Sequence, residues 1–250
     1  INSQKVLILN TTAADYVEAY IDAMRSTSQF DQEVVKSKII KAMEEKYPTV
    51  TMERILSDFD TLYAQILGIA ENKCPVYDLG IGQQVIDINK LTAPPRVDLA
   101  LTYRCNNKCS FCYTGGSRKT KELETTDWTQ ILDKLWKAGV PQVVFTGGEP
   151  TLRDDLVPLV SHAQEFVTGL VTNGRLLHKL SESLNGASLD YVQVSIESNS
   201  QSIHDEMTGV SNSWAETVNG IRVAVKEGLN VYTNTTLTKH NADHFTYAME

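Results

Sequence analysis

From residue 96 onward, strand-like apolar runs alternate with amphipathic stretches, and this alternation limits the possible folds more than any other feature of the chain. The apolar runs fall at 97–103, 142–146, 167–172, 191–196 and 230–237. Helical patterns separate them at 128–138, 156–166, 176–184 and 214–227. Connections of that length carry the chain back across a sheet, so the strands are expected to run parallel. A parallel sheet either closes into a barrel or stays open and doubly wound. No G-x-G-x-x-G follows the first strand to seat a dinucleotide. The chemically distinctive residues all sit just past the C-terminal ends of strands, the face on which barrels build sites. Cys105, Cys109 and Cys112 follow the first strand, Gly147-Gly148-Glu149-Pro150 the second and Asn173-Gly174 the third, while Ser195 and Glu197 close the fourth. An α/β fold with a partial barrel is therefore expected.

The three cysteines lie in TYRCNNKCSFCY with the spacing C-x3-C-x2-C. Thiolates packed into eight residues converge on one inorganic centre more readily than they form a disulfide framework, because the count is odd and the loop tight. A structural zinc site is one reading. Zinc normally takes four closed ligands in two separated pairs, and the remaining cysteine, Cys74, stands alone 31 residues upstream. A four-iron cluster on three cysteines is the other, and it leaves one iron free for a ligand.

Residues 1–70 read as a separate module. A buried strand is expected at 5–10, followed by a helix starting at Thr12 with Asp15. A second helix is capped by Asp31, and a third carries Ile55, Phe59, Leu62, Tyr63 and Ile66 on one face. This is a small winged-helix-like α+β arrangement, joined by a linker at 71–95 to a core at 96–250. Residues 11–70 carry ten acids against six bases, and the whole chain has a formal charge of −8. Neither is the basic field that a phosphate reader needs, so no nucleic-acid partner is expected. No apolar run approaches the roughly 20 residues of a spanning helix, and no signal-peptide pattern opens the chain. With no membrane partner, and with three of four cysteines in one motif, a cytoplasmic setting is expected. Both ends look cut from a longer protein, since the first residue is Ile1 and not a methionine, and the chain opens abruptly on a strand-like run.

Taken together, the cysteine motif after the first strand, with Phe111 before its last cysteine, and GGEP after the second strand resemble the radical S-adenosylmethionine (SAM) superfamily over roughly residues 94–250. The resemblance implies a partial (β/α)6 TIM-like barrel and a [4Fe-4S] cluster on Cys105, Cys109 and Cys112. It also implies SAM bound at the iron that lacks a cysteine. In the family the GGEP loop holds the methionine amino group. Here Gly147 and Gly148 are expected to let the backbone approach a ligand, while the loop carbonyls and Glu149, beside Pro150, accept from an ammonium. The same resemblance assigns Ser195 and Glu197 to the ribose and methionine portions of SAM, Thr172 and Asn173 to the pocket wall, and Tyr113 to adenine through its backbone. The stretch SIESNSQSIHDEMTG is similar to the branch that acts on peptides and proteins, in which auxiliary Fe-S clusters are frequent and would lie after Glu250. That branch frequently has an arginine where Thr208 stands. His204-Asp205 also reads as a simple helix-start pair, and Glu197 as a strand-end charge facing water.

Residues 7–21, LILNTTAADYVEAYI, and 46–66, KYPTVTMERILSDFDTLYAQI, resemble the peptide-recognition domain whose type member is the pyrroloquinoline quinone peptide chaperone. In that family a leader peptide adds a strand to the sheet edge beside the third helix. The combined expectation is an enzyme that cleaves SAM reductively to a 5′-deoxyadenosyl radical and crosslinks a ribosomally made precursor peptide through a thioether or carbon–carbon bond. Its partners would be the leader-bearing precursor and an electron donor such as flavodoxin or ferredoxin. Two alternatives stay open: the same chemistry on a small molecule or cofactor precursor, and a zinc-stapled adaptor that only binds peptides.

Overall fold

The computed structural model describes residues 11–27, 31–70, 91–117 and 121–244. The expected strand at 5–10 and the connector from 71 to 90, with Cys74 and the alternating run at 85–88, lie outside the described residues. The chain divides into two compact units, Ile1–Ile86 and Asp87–Glu250.

In the first unit three helices, α1 (Thr11–Arg25), α2 (Gln32–Lys46) and α3 (Met52–Ala70), pack around Tyr16, Ala23, Val35, Ile39, Met43, Ile55 and Phe59. Asp31 caps α2 by accepting from the Glu33 and Val34 amides at 2.9 and 3.4 Å. Asp15 does not open α1 as expected. It lies within the helix, almost buried, where its carboxylate takes Lys46 Nζ at 2.6 Å and the Tyr47 hydroxyl. The signal misled because an acid near a helix start has two possible uses, and here α2 supplies its partners.

The second unit holds five parallel strands: β1 (Val97–Thr102), β2 (Gln142–Gly147), β3 (Val167–Thr172), β4 (Tyr191–Ser195) and β5 (Val231–Asn234). Their spatial order is β1-β2-β3-β4-β5. Strand order therefore never reverses, which separates this sheet from doubly wound folds and makes it a barrel wall. Helices α4 (Thr125–Lys137), α5 (Leu156–His162), α6 (Leu177–Gly186), α7 (Gln201–Thr208) and α8 (Ser213–Lys226) fill the connections. The core joins Leu99, Leu101, Val143, Phe145, Leu170 and Val192 of the strands to Leu132, Leu159, Leu177 and Leu184 of the helices. Each such side chain contributes about 1.5–3 kcal/mol by leaving water.

Differences from the expected elements have local causes. Helix α5 stops at His162, and Ala163 to Phe166 form a turn that feeds β3. Helix α7 was not among the expected helical patterns, because its eight residues carry only Ile203 and Met207 as large apolar positions. It ends at Gly209, whose φ of 66° is the left-handed stop that glycine supplies. Trp128 is buried, whereas Trp136 is 47% exposed and meets Phe166 edge to face.

Candidate functional site

The chain leaving β1 carries the cysteines, and the chain leaving β2 is fastened to it. Gly148 N–H donates to the Thr102 carbonyl at 2.7 Å, and Glu149 N–H donates to the Arg104 carbonyl at 2.8 Å. A Cβ on Gly147 would lie 2.2 Å from the Thr102 carbonyl oxygen, and one on Gly148 would lie 2.3 Å from that of Arg104. Gly147 also has φ of +136°, which disfavours any side chain. Both glycines are thus required by the cysteine loop itself. The close approach these glycines allow includes one of chain to chain, onto Thr102 and Arg104.

Three further anchors hold the loop. Asn173, after β3, donates through Nδ2 to Asn106 Oδ1 at 2.7 Å. Arg175 donates to the Asn106 carbonyl at 2.7 Å and to Asn107 Oδ1 at 3.1 Å, while its Nε meets Glu216 of α8 at 2.5 Å. The C-terminus of α7 supplies the third: Lys108 N–H reaches the Thr208 carbonyl at 2.8 Å, and Ser110 N–H reaches that of Met207 at 3.3 Å. Sequence reasoning passed over Asn106, Asn107, Arg175 and Glu216. Only the Asn-Gly turn after β3 hinted at that corner.

Cys105, Cys109 and Cys112 are free and each half-buried. Asn107 N–H donates to Cys105 Sγ at 3.4 Å, and Cys112 Sγ lies 3.1 Å from Thr114 Oγ1. Burial, then the neighbouring Cys105, Glu197 and Cys112, push the Cys109 thiol up to about 11. Cys105 is raised by burial, with Glu149 and Cys112 adding to it. Cys112 feels burial too, but hydrogen bonds from Thr114 and from the Gly116 and Gly115 amides bring it below the usual thiol range. These are three donors in one shared field, together with two carboxylates, and they call for a compensating cation. Among the described residues, no group of three His, Cys, Asp or Glu side chains is arranged to hold a single metal ion. A polynuclear cluster spreads its thiolates more widely than one zinc does, and it needs no fourth protein ligand. The donor set fits the four-iron group.

Glu149 is fully buried. Its Oε1 accepts from Thr151 N–H at 3.1 Å, Thr151 Oγ1 at 2.5 Å and Thr172 Oγ1 at 2.6 Å, and its Oε2 accepts from Asn173 N–H at 2.8 Å. Three of these donors fall on Oε1 and one on Oε2, so only Oε2 keeps an acceptor position for the expected ligand ammonium, and the main-chain carbonyls of the loop are the other acceptors for a cation. Thr172 is buried and spends its hydroxyl on Glu149 and the Gly174 amide, while Pro150 is buried in the 3₁₀ turn Pro150–Leu152. The Asn173 side chain is likewise occupied, by Asn106 and by the Arg175 amide at 3.1 Å.

Ser195 is half-buried at the end of β4. Glu197, two residues on, is 3% exposed, so the water-facing reading is overturned. Burial raises its carboxyl to about 7, opposed by a single donor, the Thr236 amide at 2.8 Å. Glu197 also acts electrostatically on Cys109, which places the β4 end beside the cysteine loop. His204 is buried and accepts the Glu197 N–H on Nδ1 at 3.1 Å. Its Nε2 therefore carries the proton, and that buried N–H has no partner among the described residues. An orphan donor costs about 1–3 kcal/mol, so the imidazole weakens the fold unless Nδ1 performs a task that an apolar side chain cannot. Asp205 sits in the last turns of α7 and not at its start. It does cap a helix, but the next one, accepting from Asn212 N–H, Ser213 Oγ and Trp214 N–H at 2.7–2.9 Å at the start of α8. Thr208, where an arginine is frequent in the peptide-modifying branch, is buried with its hydroxyl on the His204 carbonyl and Ser213 Oγ. Tyr113 is 84% exposed, beside the last cysteine.

A cysteine-bearing loop fastened to a glycine loop at the mouth of a partial parallel barrel defines a class: proteins that hold an iron–sulfur centre at a barrel's C-terminal face. The Radical SAM superfamily profile matches residues 99–250, more than half of the chain, and the chain belongs to that superfamily. It is 37% identical over 145 residues to a probable GTP 3′,8-cyclase of Methanopyrus kandleri, covering 57% of this chain and 47% of that protein. It is 35% identical over 157 residues to the PqqA peptide cyclase of Gluconobacter oxydans, covering 60% of this chain and 44% of that one. The chain spans less than half the length of these curated relatives. Among solved structures, Streptococcus suis SuiB bound to precursor peptide SuiA matches with a TM-score of 0.57 and 18% identity, over 96% of this chain and 53% of that one. At this identity the likeness is one of fold. Membership in the superfamily implies a [4Fe-4S] cluster and SAM. Among the described residues no helix is long and apolar enough to cross a membrane.

Proposed function

We propose that this chain carries the catalytic core of a peptide-modifying enzyme that cleaves SAM reductively and crosslinks a ribosomally made precursor, by a thioether or a carbon–carbon bond. The observation that carries the reading is the pair of main-chain hydrogen bonds joining the cysteine loop to the GGEP loop. Cys105, Cys109 and Cys112 would hold the cluster. The backbone carbonyls of Gly147 to Pro150 would face the methionine ammonium, and Ser195 and Glu197 the ribose and methionine portions. When bound, the cluster and SAM together supply a carbon-centred radical able to remove hydrogen from an unactivated carbon. The chain's own work is to orient and enclose. Arg175, Asn173 and the end of α7 fix the thiols, Glu149 ties the ends of β2 and β3 together, and the buried strand ends exclude water.

For residues 1–70 we propose a leader-binding role like that of the pyrroloquinoline quinone peptide chaperone family, with 71–95 as linker and 96–250 as core. The PqqA peptide cyclase relative and the peptide-bound SuiB fold support a peptide substrate. The GTP 3′,8-cyclase relative, at similar identity, supports a second reading in which the substrate is a small molecule. An electron donor of the flavodoxin or ferredoxin type, auxiliary clusters after Glu250 and a cytoplasmic setting complete the proposal.

The test is anaerobic incubation of the full-length protein with SAM, reductant and a candidate precursor peptide. Deoxyadenosine together with peptide lighter by two hydrogens is the expected result. Deoxyadenosine that appears equally without peptide, while a nucleotide substrate is consumed, favours the second reading. Colourless protein containing zinc and no iron, or SAM cleavage that survives alanine at all three cysteines, overturns both.

A further inference from the structure

Beyond Ser195 the β4–β5 ladder comes apart. Ile196 N–H still reaches the Asn234 carbonyl at 3.0 Å, and Thr235 Oγ1 donates to the Ile196 carbonyl at 2.6 Å. The main-chain groups of Glu197 come next, they are buried, and no strand partner meets them. Buried amides and carbonyls are nonetheless almost always paired. Two side chains from other parts of the chain take the strand's place. His204 Nδ1, on α7, accepts the Glu197 N–H at 3.1 Å, and Asn241 Nδ2 donates to the Glu197 carbonyl at 2.8 Å.

The Asn241 amide is itself fully engaged at 1% exposure. Its Nδ2 also donates to the Thr236 carbonyl at 3.0 Å, and its Oδ1 accepts from Thr238 N–H and Thr238 Oγ1 at 2.8 and 3.2 Å. The turn that it folds in this way presents the Thr236 N–H to Glu197 Oε2. Both main-chain groups of Glu197 and one carboxylate oxygen are therefore fixed, while among the described residues no other donor is hydrogen-bonded to the carboxylate. A carboxylate held in this manner and short of donors suits a ligand that brings hydroxyl protons.

We infer that His204 and Asn241 are positioning residues that clamp Glu197 from both sides and so aim its carboxylate at the ribose hydroxyls of SAM. The inference rests on the proposed assignment of Glu197 to that ribose. It accounts for a buried polar atom that has no partner among the described residues: a histidine whose Nδ1 must accept carries its proton on Nε2 and buries it.

The experiment uses cluster-loaded, full-length protein and measures equilibrium binding of S-adenosylhomocysteine against its analogue lacking both ribose hydroxyls. Wild type should prefer the hydroxylated ligand by about tenfold or more, as a site built to hydrogen-bond a hydroxyl does. Glu197→Ala, His204→Leu and Asn241→Ala should each bring that preference close to one. His204→Asn, whose Oδ1 can stand in for Nδ1 as acceptor, should restore most of it. The double variant E197A/H204L should lose no more than E197A, because the two act as one unit. Preference is a ratio on one preparation, so partial misfolding of a variant leaves it readable. If E197A loses the preference while H204L and N241A keep it, the clamp is wrong and the role of Glu197 stands. If E197A itself keeps the preference, the assignment of Glu197 fails and the clamp fails with it.

Discussion

After β2 the chain reaches Glu149, and after β4 it reaches Glu197. Both are buried acids at the same end of one sheet, yet among the described residues Glu149 accepts four hydrogen bonds from Thr151, Thr172 and Asn173, whereas Glu197 accepts one from Thr236. Burial raises both carboxyls, and the Asn173 amide and the Thr151 and Thr172 donors oppose it at Glu149. Two identical side chains thus do different work. A carboxylate bonded to donors after both β2 and β3 is a brace between strand ends. One short of donors is a place where an incoming donor finds the cost of burial already met.

The largest expected effect is on the brace. Glu149→Ala strands two hydroxyls and two amides in a dry interior, and should cost about 4 kcal/mol or more by urea denaturation. If Glu197→Ala destabilises the protein as much, the contrast between the two acids is wrong. Next comes a pH test on metal-free protein. The Glu197 carboxyl goes from 4.5 to about 7 on folding, so between these values the folded state keeps a proton that the unfolded chain has released. Its contribution to stability is therefore present at low pH and lost as pH rises towards 7. Relative to Glu197→Gln, wild type should lose about 2–3 kcal/mol between pH 5 and pH 8. A difference that does not change with pH would mean that the acid is not desolvated.

Gly148→Ala tests the fastening beside the brace. Its Cβ would meet the Arg104 carbonyl oxygen at 2.3 Å, so about 1–3 kcal/mol should be lost, with weaker cluster retention seen in the visible spectrum. The smallest effect belongs to the β4 side. Asp205→Ala removes the cap of α8 and should cost about 1 kcal/mol in thermal unfolding. It should also leave the α7 hydrogen bonds to Lys108 and Ser110 in place, which hydrogen exchange at those amides would report.

The sheet was legible because parallel strands buried on both faces are written as plain apolar runs, as at β2 and β3. The strand-end positions of the cysteines and GGEP were legible because those motifs are short and contiguous. What joins them was not. Asn241 acts on a residue 44 positions away and Arg175 on one 69 away, and neither looks different in sequence from an ordinary polar loop residue. Helix α7 was hidden by its shortness, eight residues with only Ile203 and Met207 as large apolar positions. The glycines of GGEP were read for the property of close backbone approach, but the sequence did not show the cysteine loop as a neighbour they must accommodate. Asp205 was recognisable as a capping residue, though its helix begins eight residues later.

The anchoring of the cysteine loop has a consequence for biosynthesis. The segment leaves the ribosome before its supports at Arg175, Thr208 and Glu216, which are made about 60 to 110 residues later. A nascent chain that has just exposed its sulfurs cannot yet hold them in their final array. Iron delivery during synthesis must therefore wait until the ribosome has passed α8, and a ribosome stalled before that point leaves the thiols open to oxidation and to adventitious metals.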